Sequence, residues 1–258
     1  MSTIIYDSPI FGPVHSRRLG ISLGINLLPA SGKICSFDCI YCECGFRKDR
    51  LTKDPLPTRA EVKEALIEKL ISMTSINQLP QDITFAGNGE PTLHPDFYKI
   101  VKDVISIRDQ YAPLASISVL TNGNHIVNKK IYEALLLVDN NIVKLDTVDM
   151  DYIHLVDRPN SSYDVNLIIK QLTKFGENCV IQSLFMTGEY KGHSVDNTSA
   201  DYVLPWVETI MSIKPREVMV YTIDRDTPAK GLKKASQESL DAIVRKLEDQ
   251  GIKASASY

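Results

Sequence analysis

Cys35-Ser-Phe-Asp-Cys39-Ile-Tyr-Cys42 places three thiols at a C-x3-C-x2-C spacing in a 258-residue chain that has five cysteines in all. Thiols crowded on one loop are reactive, and as thiolates they repel one another unless a soft metal shares their charge. A structural zinc closes its shell with four ligands, whereas a cubane held by three cysteines keeps one iron open to a small ligand. The other reading is a four-cysteine zinc completed by Cys44. Against it, Cys42-Glu-Cys44 is tighter than the gap of two or more residues that lets both thiols face one ion. Cys179 lies far off in an apolar run and reads as a small buried hydrophobe. An odd number of cysteines with three on one loop is not a disulfide framework.

Outward from this loop the chain alternates between two periodicities. Residues 19 to 28 alternate apolar and small side chains around Gly20 and Gly24 and read as a first strand feeding the cysteines. Thr58 with Glu61 three residues on predicts a capped helix carrying Val62, Ala65, Leu66 and Leu70 along one side. Strand-like runs follow at 82–86, 116–120, 141–145, 179–185 and 217–223. Helical stretches begin near Pro95, Ile126, Tyr163 and Ala200, and a last helix covers about 237–250. Residues 229–236 read as a connection. Six such units call for parallel strands, right-handed crossovers and helices outside, which makes an α/β partial barrel.

Composition narrows the class. Hydrophobic residues at 43% and charged residues at 24% are globular values, and one domain over 1–258 is expected. No apolar run reaches the ~18 residues of a membrane span, and Met1 to Asp7 lacks the features of a secretion signal, so a cytoplasmic protein is expected. A net charge of -3 gives no general attraction to nucleic acid. Arg47-Lys-Asp-Arg50 with Lys53 is a local basic segment, read either as a solvated run or as a phosphate contact.

With Tyr41 just before the last cysteine, the loop resembles the cluster loop of radical S-adenosylmethionine (SAM) enzymes, and Gly87-Asn-Gly-Glu-Pro91 is similar to their second motif. Phe11-Gly-Pro-Val-His-Ser-Arg-Arg-Leu-Gly20, Lys144-Leu-Asp146 and Asp157-Arg-Pro159 resemble an iron-sulfur oxidoreductase subgroup related to the tRNA wyosine synthases. The resemblance implies a TIM-like partial (βα)6 barrel with the cluster loop at 33–46. Cys35, Cys39 and Cys42 would hold a 4Fe-4S cluster whose open iron takes SAM. Gly87, Asn88, Gly89 and Glu90 would receive the ammonium of its methionine moiety. Reduction by a low-potential donor, a flavodoxin or a ferredoxin, would cleave SAM to a 5'-deoxyadenosyl radical that abstracts hydrogen from substrate.

The remaining candidates sit at strand ends, where parallel α/β folds place their chemistry. Thr121 and Asn122 follow the third strand. Lys144 and Asp146 share one face of the fourth; they either neutralise each other or serve, in the resemblance, SAM (Asp146) and substrate (Lys144). Gln182 and Ser183 interrupt an apolar strand, so they need partners, either SAM or the backbone. Ile223 would lie against adenine, and Asp224 and Arg225 fall near the mouth. Arg17 and Arg18 are either surface charges or a grip on a substrate carboxylate or phosphate, and His15 reads as structural.

The substrate is a small molecule or a modified nucleoside. Wyosine synthases act on a guanosine in tRNA and carry a second cluster upstream of the motif, while residues 1–34 here contain no cysteine, so tRNA is the less expected substrate. Nor does a second cysteine cluster appear near the C-terminus, which reads as a core domain lacking an auxiliary-cluster extension. A monomer is expected. The competing functions are a glycyl-radical enzyme activase and, outside enzymes, an iron-sulfur carrier or zinc-binding protein.

Overall fold

A computed structural model describes residues 3–16 and 19–258. Its main sheet has eight strands in the order β1-β2-β3-β4-β5-β6-β9-β11. These are β1 (Ile10–Ser16), β2 (Gly20–Ile25), β3 (Asp82–Phe85), β4 (Ser116–Thr121), β5 (Asn140–Lys144), β6 (Val180–Leu184), β9 (Glu217–Tyr221) and β11 (Ala254–Ser257). β1 pairs antiparallel with β2, and every other neighbour is parallel. The crossovers carry α1 (Arg59–Ser75), α2 (Phe97–Tyr111), α3 (Lys129–Leu135), α5 (Val165–Phe175), α6 (Ala200–Ile213) and α7 (Gln237–Glu248). A short α4 (Met150–Tyr152) runs into a π turn at Ile153–Asp157. The result is a curled, largely parallel half-barrel with helices outside.

Strict alternation along the strands decides which face the helices cover. Leu23, Ile25, Ile83, Phe85, Ile117, Val119, Val143, Ile181, Val218 and Val220 pack outward into one apolar cluster with the helices. The positions between them turn inward and mix polar side chains, Ser22, Thr84, Ser118, Lys144 and Gln182, with Leu120, Ile142, Leu184 and Met219. A closed barrel fills its centre with branched apolar side chains; here the interior carries a cavity. At its base Asp82 accepts from Ser116 (2.7 Å) and Ser118 (2.5 Å), and also from Thr84. Helix starts follow the expected chemistry. Thr58 and Glu61 form a reciprocal capping box on α1, and Asp164 caps α5.

Several elements differ from the sequence expectation. The run at 10–16 is a strand despite Gly12 and Pro13, which is permitted because β1 is an edge strand and needs no N–H there. Phe11 from β1 lies over Gly24, where a Cβ would come within 2.1 Å of its ring. Residues 229–236 are more than a connection. β10 (Leu232–Lys234) pairs with β7 (Met186–Tyr190), which pairs with β8 (His193–Ser194), in a second, antiparallel sheet. Met186 packs there with Ile40, Tyr152, Val156, Leu184, Val195 and Ala229 in a small second core beneath the cysteine loop. No helix among the described residues is long and apolar enough to cross a membrane.

Candidate active site

The cysteine loop is fastened on three sides by backbone hydrogen bonds, the strongest restraint available to a segment without regular structure. Ile34 and Gly89 form a parallel bridge, with Ile34 N donating to Asn88 O (3.0 Å) and Glu90 N to Ile34 O (3.1 Å). On the second side, Ile40 N donates to Val156 O (2.9 Å) and Asn160 N to Ser36 O (3.0 Å). On the third, Ala229 N donates to Ile40 O (3.2 Å). Gly89 is required by this contact: its φ is +139° and a Cβ would lie 1.9 Å from the Ile34 carbonyl oxygen. The glycine therefore admits the cysteine loop itself, and it also lines the cavity.

Cys35, Cys39 and Cys42 open onto a cavity of about 470 Å³ at the carboxyl ends of the strands. All five cysteines are free thiols. Burial pushes the Cys35 thiol up to about 12, helped by the nearby Glu90 charge, and burial also holds Cys39 well above the ordinary thiol range. Cys42 moves the other way, to about 6, through its hydrogen bond with Cys44 and then the charge of Lys33, against the effect of burial. Cys44 is buried and lies 3.4 Å from the Gly87 carbonyl oxygen.

Lys33 is the residue that sequence reasoning missed. Its ammonium is buried, donates to Gly45 O (2.7 Å) and lies 3.7 Å from Asp38. Burial works against the charge, but Cys42, Cys35 and Cys39 outweigh it and raise its pKa. A carbonyl, a distant carboxylate and the Cys42 thiol are its partners, and thiolates would supply the negative charge that a buried ammonium needs. Nothing in the local pattern Gly32-Lys-Ile34 signals burial.

Glu90 is buried, and its Oε1 accepts from Thr92 N (3.1 Å), Thr92 Oγ1 (2.6 Å) and Thr121 Oγ1 (2.7 Å). Its Oε2 accepts from Asn122 N (2.7 Å). Asn122 in turn reaches the cysteine loop, donating to Ser36 Oγ (3.0 Å) and approaching Cys35 Sγ (3.6 Å). Glu90, Thr121 and Asn122 thus join the ends of β3 and β4 to the loop. The Asn88 side chain points away from the cavity, donating to Tyr6 O (2.8 Å) and Pro29 O (2.9 Å).

Beneath Cys39 lies a charged network. Lys144 Nζ donates to Asp146 Oδ2 and Asp157 Oδ1, each at 2.6 Å, and the Tyr41 hydroxyl donates to Asp146. The Lys144 ammonium also stands over the rings of Phe37 (5.7 Å) and Tyr41 (5.6 Å). Burial opposes its charge, and the two carboxylates more than restore it. Asp157 is pushed up to about 6 by burial, in spite of Lys144. The sequence pairing of Lys144 with Asp146 is incomplete, because Asp157 arrives from the π turn.

The candidates divide by placement. Tyr41, Gly87, Gly89, Glu90, Thr121, Asn122, Lys144, Gln182, Ile223 and Arg225 line the cavity with the three cysteines. Asn88 and Asp146 stand behind its wall, and Ser183 turns outward, donating to Leu145 O (2.5 Å), so for Ser183 the backbone is the partner. Arg225 donates to Glu43 Oε2 (2.7 Å) and Tyr6 (3.2 Å) at the mouth. His15, from β1, lines the cavity. Arg17 and Arg18 lie outside the described residues.

This donor set fits an iron-sulfur cluster. Three thiols facing one cavity, Cys39 buried and Cys35 and Cys42 half-buried, beside the buried Lys33 ammonium match the thiolate ligation and charge balance such a cluster needs.

Residues 31–195 match the family described as the Radical SAM superfamily. A UPF0026 protein of Helicobacter pylori strain J99 is 32% identical over 240 residues, which are 90% of this chain and 71% of that protein. A protein named GTPase Obg from Brachyspira hyodysenteriae is 30% identical over 239 residues, 93% of this chain but 33% of its own length. The chain therefore spans a third of that relative, and the GTPase of its name describes the longer protein. A radical SAM methyltransferase from Sphaerobacter thermophilus shares the fold, with a TM-score of 0.67 at 15% identity over 92% of this chain and 66% of that one.

Proposed function

We propose a reaction for a chain that belongs to the radical SAM superfamily and, within it, to the family of the UPF0026 proteins. Superfamily members are enzymes that use a 4Fe-4S cluster and SAM, and this chain is an enzyme of that class. Its proposed reaction is hydrogen abstraction from a small molecule or nucleoside. When bound, the cluster would supply the electron for reductive cleavage of SAM, the chemistry by which hydrogen would be taken from substrate.

The observation that carries this reading is the convergence of Cys35, Cys39 and Cys42 with Gly87, Gly89 and Glu90 on one cavity. In it the three cysteines hold the cluster. The Gly87 to Glu90 segment and Gln182 bind SAM, with Ile223 against its adenine. Glu90 keeps one Oε2 lone pair beyond its bond from Asn122, suited to an ammonium. Asn122 fixes the cysteine loop against the strand ends. Lys144 keeps one of its three ammonium N–H donors beyond its bonds to Asp146 and Asp157, suited to a carbonyl or hydroxyl oxygen of the substrate, and the two carboxylates hold it in place. Lys33 balances the thiolates from behind. Arg225 at the mouth, held by Glu43, admits a substrate anion.

The finer kinship with the wyosine synthases is also a proposal, supported by the motif text. In the structure Asp157-Arg-Pro159 is the segment that pins the cysteine loop, and Lys144-Leu-Asp146 is the network beneath it. The test is anaerobic reconstitution with iron and sulfide, then SAM and dithionite, with 5'-deoxyadenosine as the readout. Repetition with total RNA and with metabolite pools separates the substrate classes. Undiminished SAM cleavage by the triple Cys35→Ala, Cys39→Ala, Cys42→Ala variant would falsify the proposal.

A further inference from the structure

On the outer side of the cysteine loop is a second pocket, of about 460 Å³, lined by Asp38, Arg47, Lys48, Leu51, Arg158, Pro159 and Asn160. It shares no lining residue with the cavity. Its floor is the back of the loop. Asp38 stands between Cys35 and Cys39 in the chain, and Asn160 Nδ2 donates to the Cys35 carbonyl (2.8 Å).

The pocket is electropositive and partly apolar. Its one lining carboxylate, Asp38, is occupied by Arg47 N (2.8 Å) and the Arg158 guanidinium (3.4 Å), with the Lys33 ammonium behind it. That leaves Lys48 exposed over the Phe46 ring (6.0 Å) and Arg47 half-buried beside it. Leu51 is 75% exposed beside them. Arg158 has a left-handed backbone, with φ of +52°, and its guanidinium stacks on Phe46 (5.1 Å). A backbone held in that sparsely populated region needs a surrounding that fixes it.

We propose that this face docks the reductant, an acidic, low-potential electron-carrier protein; the proposal rests on the radical SAM reading above. The reaction needs one electron per cleavage. The carrier is oxidised by one electron and the cluster reduced by one, with no bond made and no proton moved. A substrate must enter the cavity, whereas a reductant needs only to approach the cluster and must leave the cavity free. The pocket meets that second requirement, because it reaches the loop from the side the cavity does not use. Cations around an exposed leucine complement an acidic protein with an apolar contact patch. RNA would find the cations but no base-stacking platform that is not already covered by Arg158.

The test compares the wild type with Lys48→Glu/Leu51→Glu, after cluster content and circular dichroism show both to be folded. Dithionite, which needs no docking, drives SAM cleavage equally in both. Reduced flavodoxin drives it about ten-fold or more slower in the variant at low salt, and the steep salt dependence of the wild type flattens. Calorimetric titration of each protein with flavodoxin reads binding without catalysis and shows the same weakening. Equal flavodoxin-driven rates and equal binding overturn the proposal, as does loss of tRNA binding in the variant with flavodoxin binding intact. If the wild type cleaves SAM with neither reductant, the reaction proposed above fails, and the titration alone then decides the surface.

Discussion

Lys144 shows how one buried cation organises a site. It holds two carboxylates at 2.6 Å each, and removing it leaves both without a counter-charge. Lys144→Met is expected to lose about 3 to 5 kcal/mol in urea unfolding, and adding Asp146→Asn and Asp157→Asn should return most of that loss. A single variant as stable as the wild type would show that the network carries no buried charge. The cysteines are expected to separate cleanly as well: Cys35→Ala, Cys39→Ala and Cys42→Ala lose the iron and its visible absorption, whereas Cys44→Ser keeps both. At the base of the barrel, burial raises the Asp82 pKa above its ordinary value despite bonds from Ser118, Thr84 and Ser116. The folded state therefore binds this proton more tightly than the unfolded state does. The contribution of Asp82 is fully present below its unfolded pKa of 3.8 and declines as pH rises through the folded value. Wild type minus Asp82→Asn, measured by denaturant unfolding in the same buffer series, should move against the wild type over that rise.

Among the elements, α6 helps to fix the strand end that carries Asp146. Trp206 is buried, meets Phe185 edge to face at 5.3 Å, and donates its indole N–H to the Leu145 carbonyl (2.8 Å). Leu145 lies between Lys144 and Asp146, so the helix anchors the backbone on which the network depends. Trp206→Ala is expected to cost about 3 to 5 kcal/mol by thermal or urea unfolding, and Trp206→Phe less, with the Leu145 carbonyl still receiving Ser183. An unchanged melting temperature for the alanine variant would count against this anchoring. The alternating strands were legible because their two faces meet different surroundings, helices outside and a cavity of mixed polar and apolar lining inside. β1 was not legible, since Gly12 and Pro13 erase the alternation and only an edge position tolerates them. β7, β8 and β10 escaped for another reason: Leu232 pairs with Gly188 across a long stretch of chain, and no local pattern announces such a partner.

At the scale of the molecule, the half-barrel ends in β11, which covers β9 with a parallel ladder from Ala254–Val218 to Ser257–Tyr221. Deleting residues 252–258 is expected to bare that edge, lower the melting temperature and promote association visible by light scattering; a monodisperse, equally stable product would speak against it. Thiol spacing and βα alternation are local properties, and the sequence by itself determined the three cysteines and the parallel α/β architecture through them. Tertiary structure alone decided that Asp157 joins Lys144, that Glu90 braces Thr121 and Asn122, that Gly89 admits Ile34, and that Lys33 is buried behind the thiols. Each of those depends on segments far apart in the chain meeting at the carboxyl ends of the strands. Periodicity fixes which way a side chain faces, but only the packed backbone fixes what it meets there.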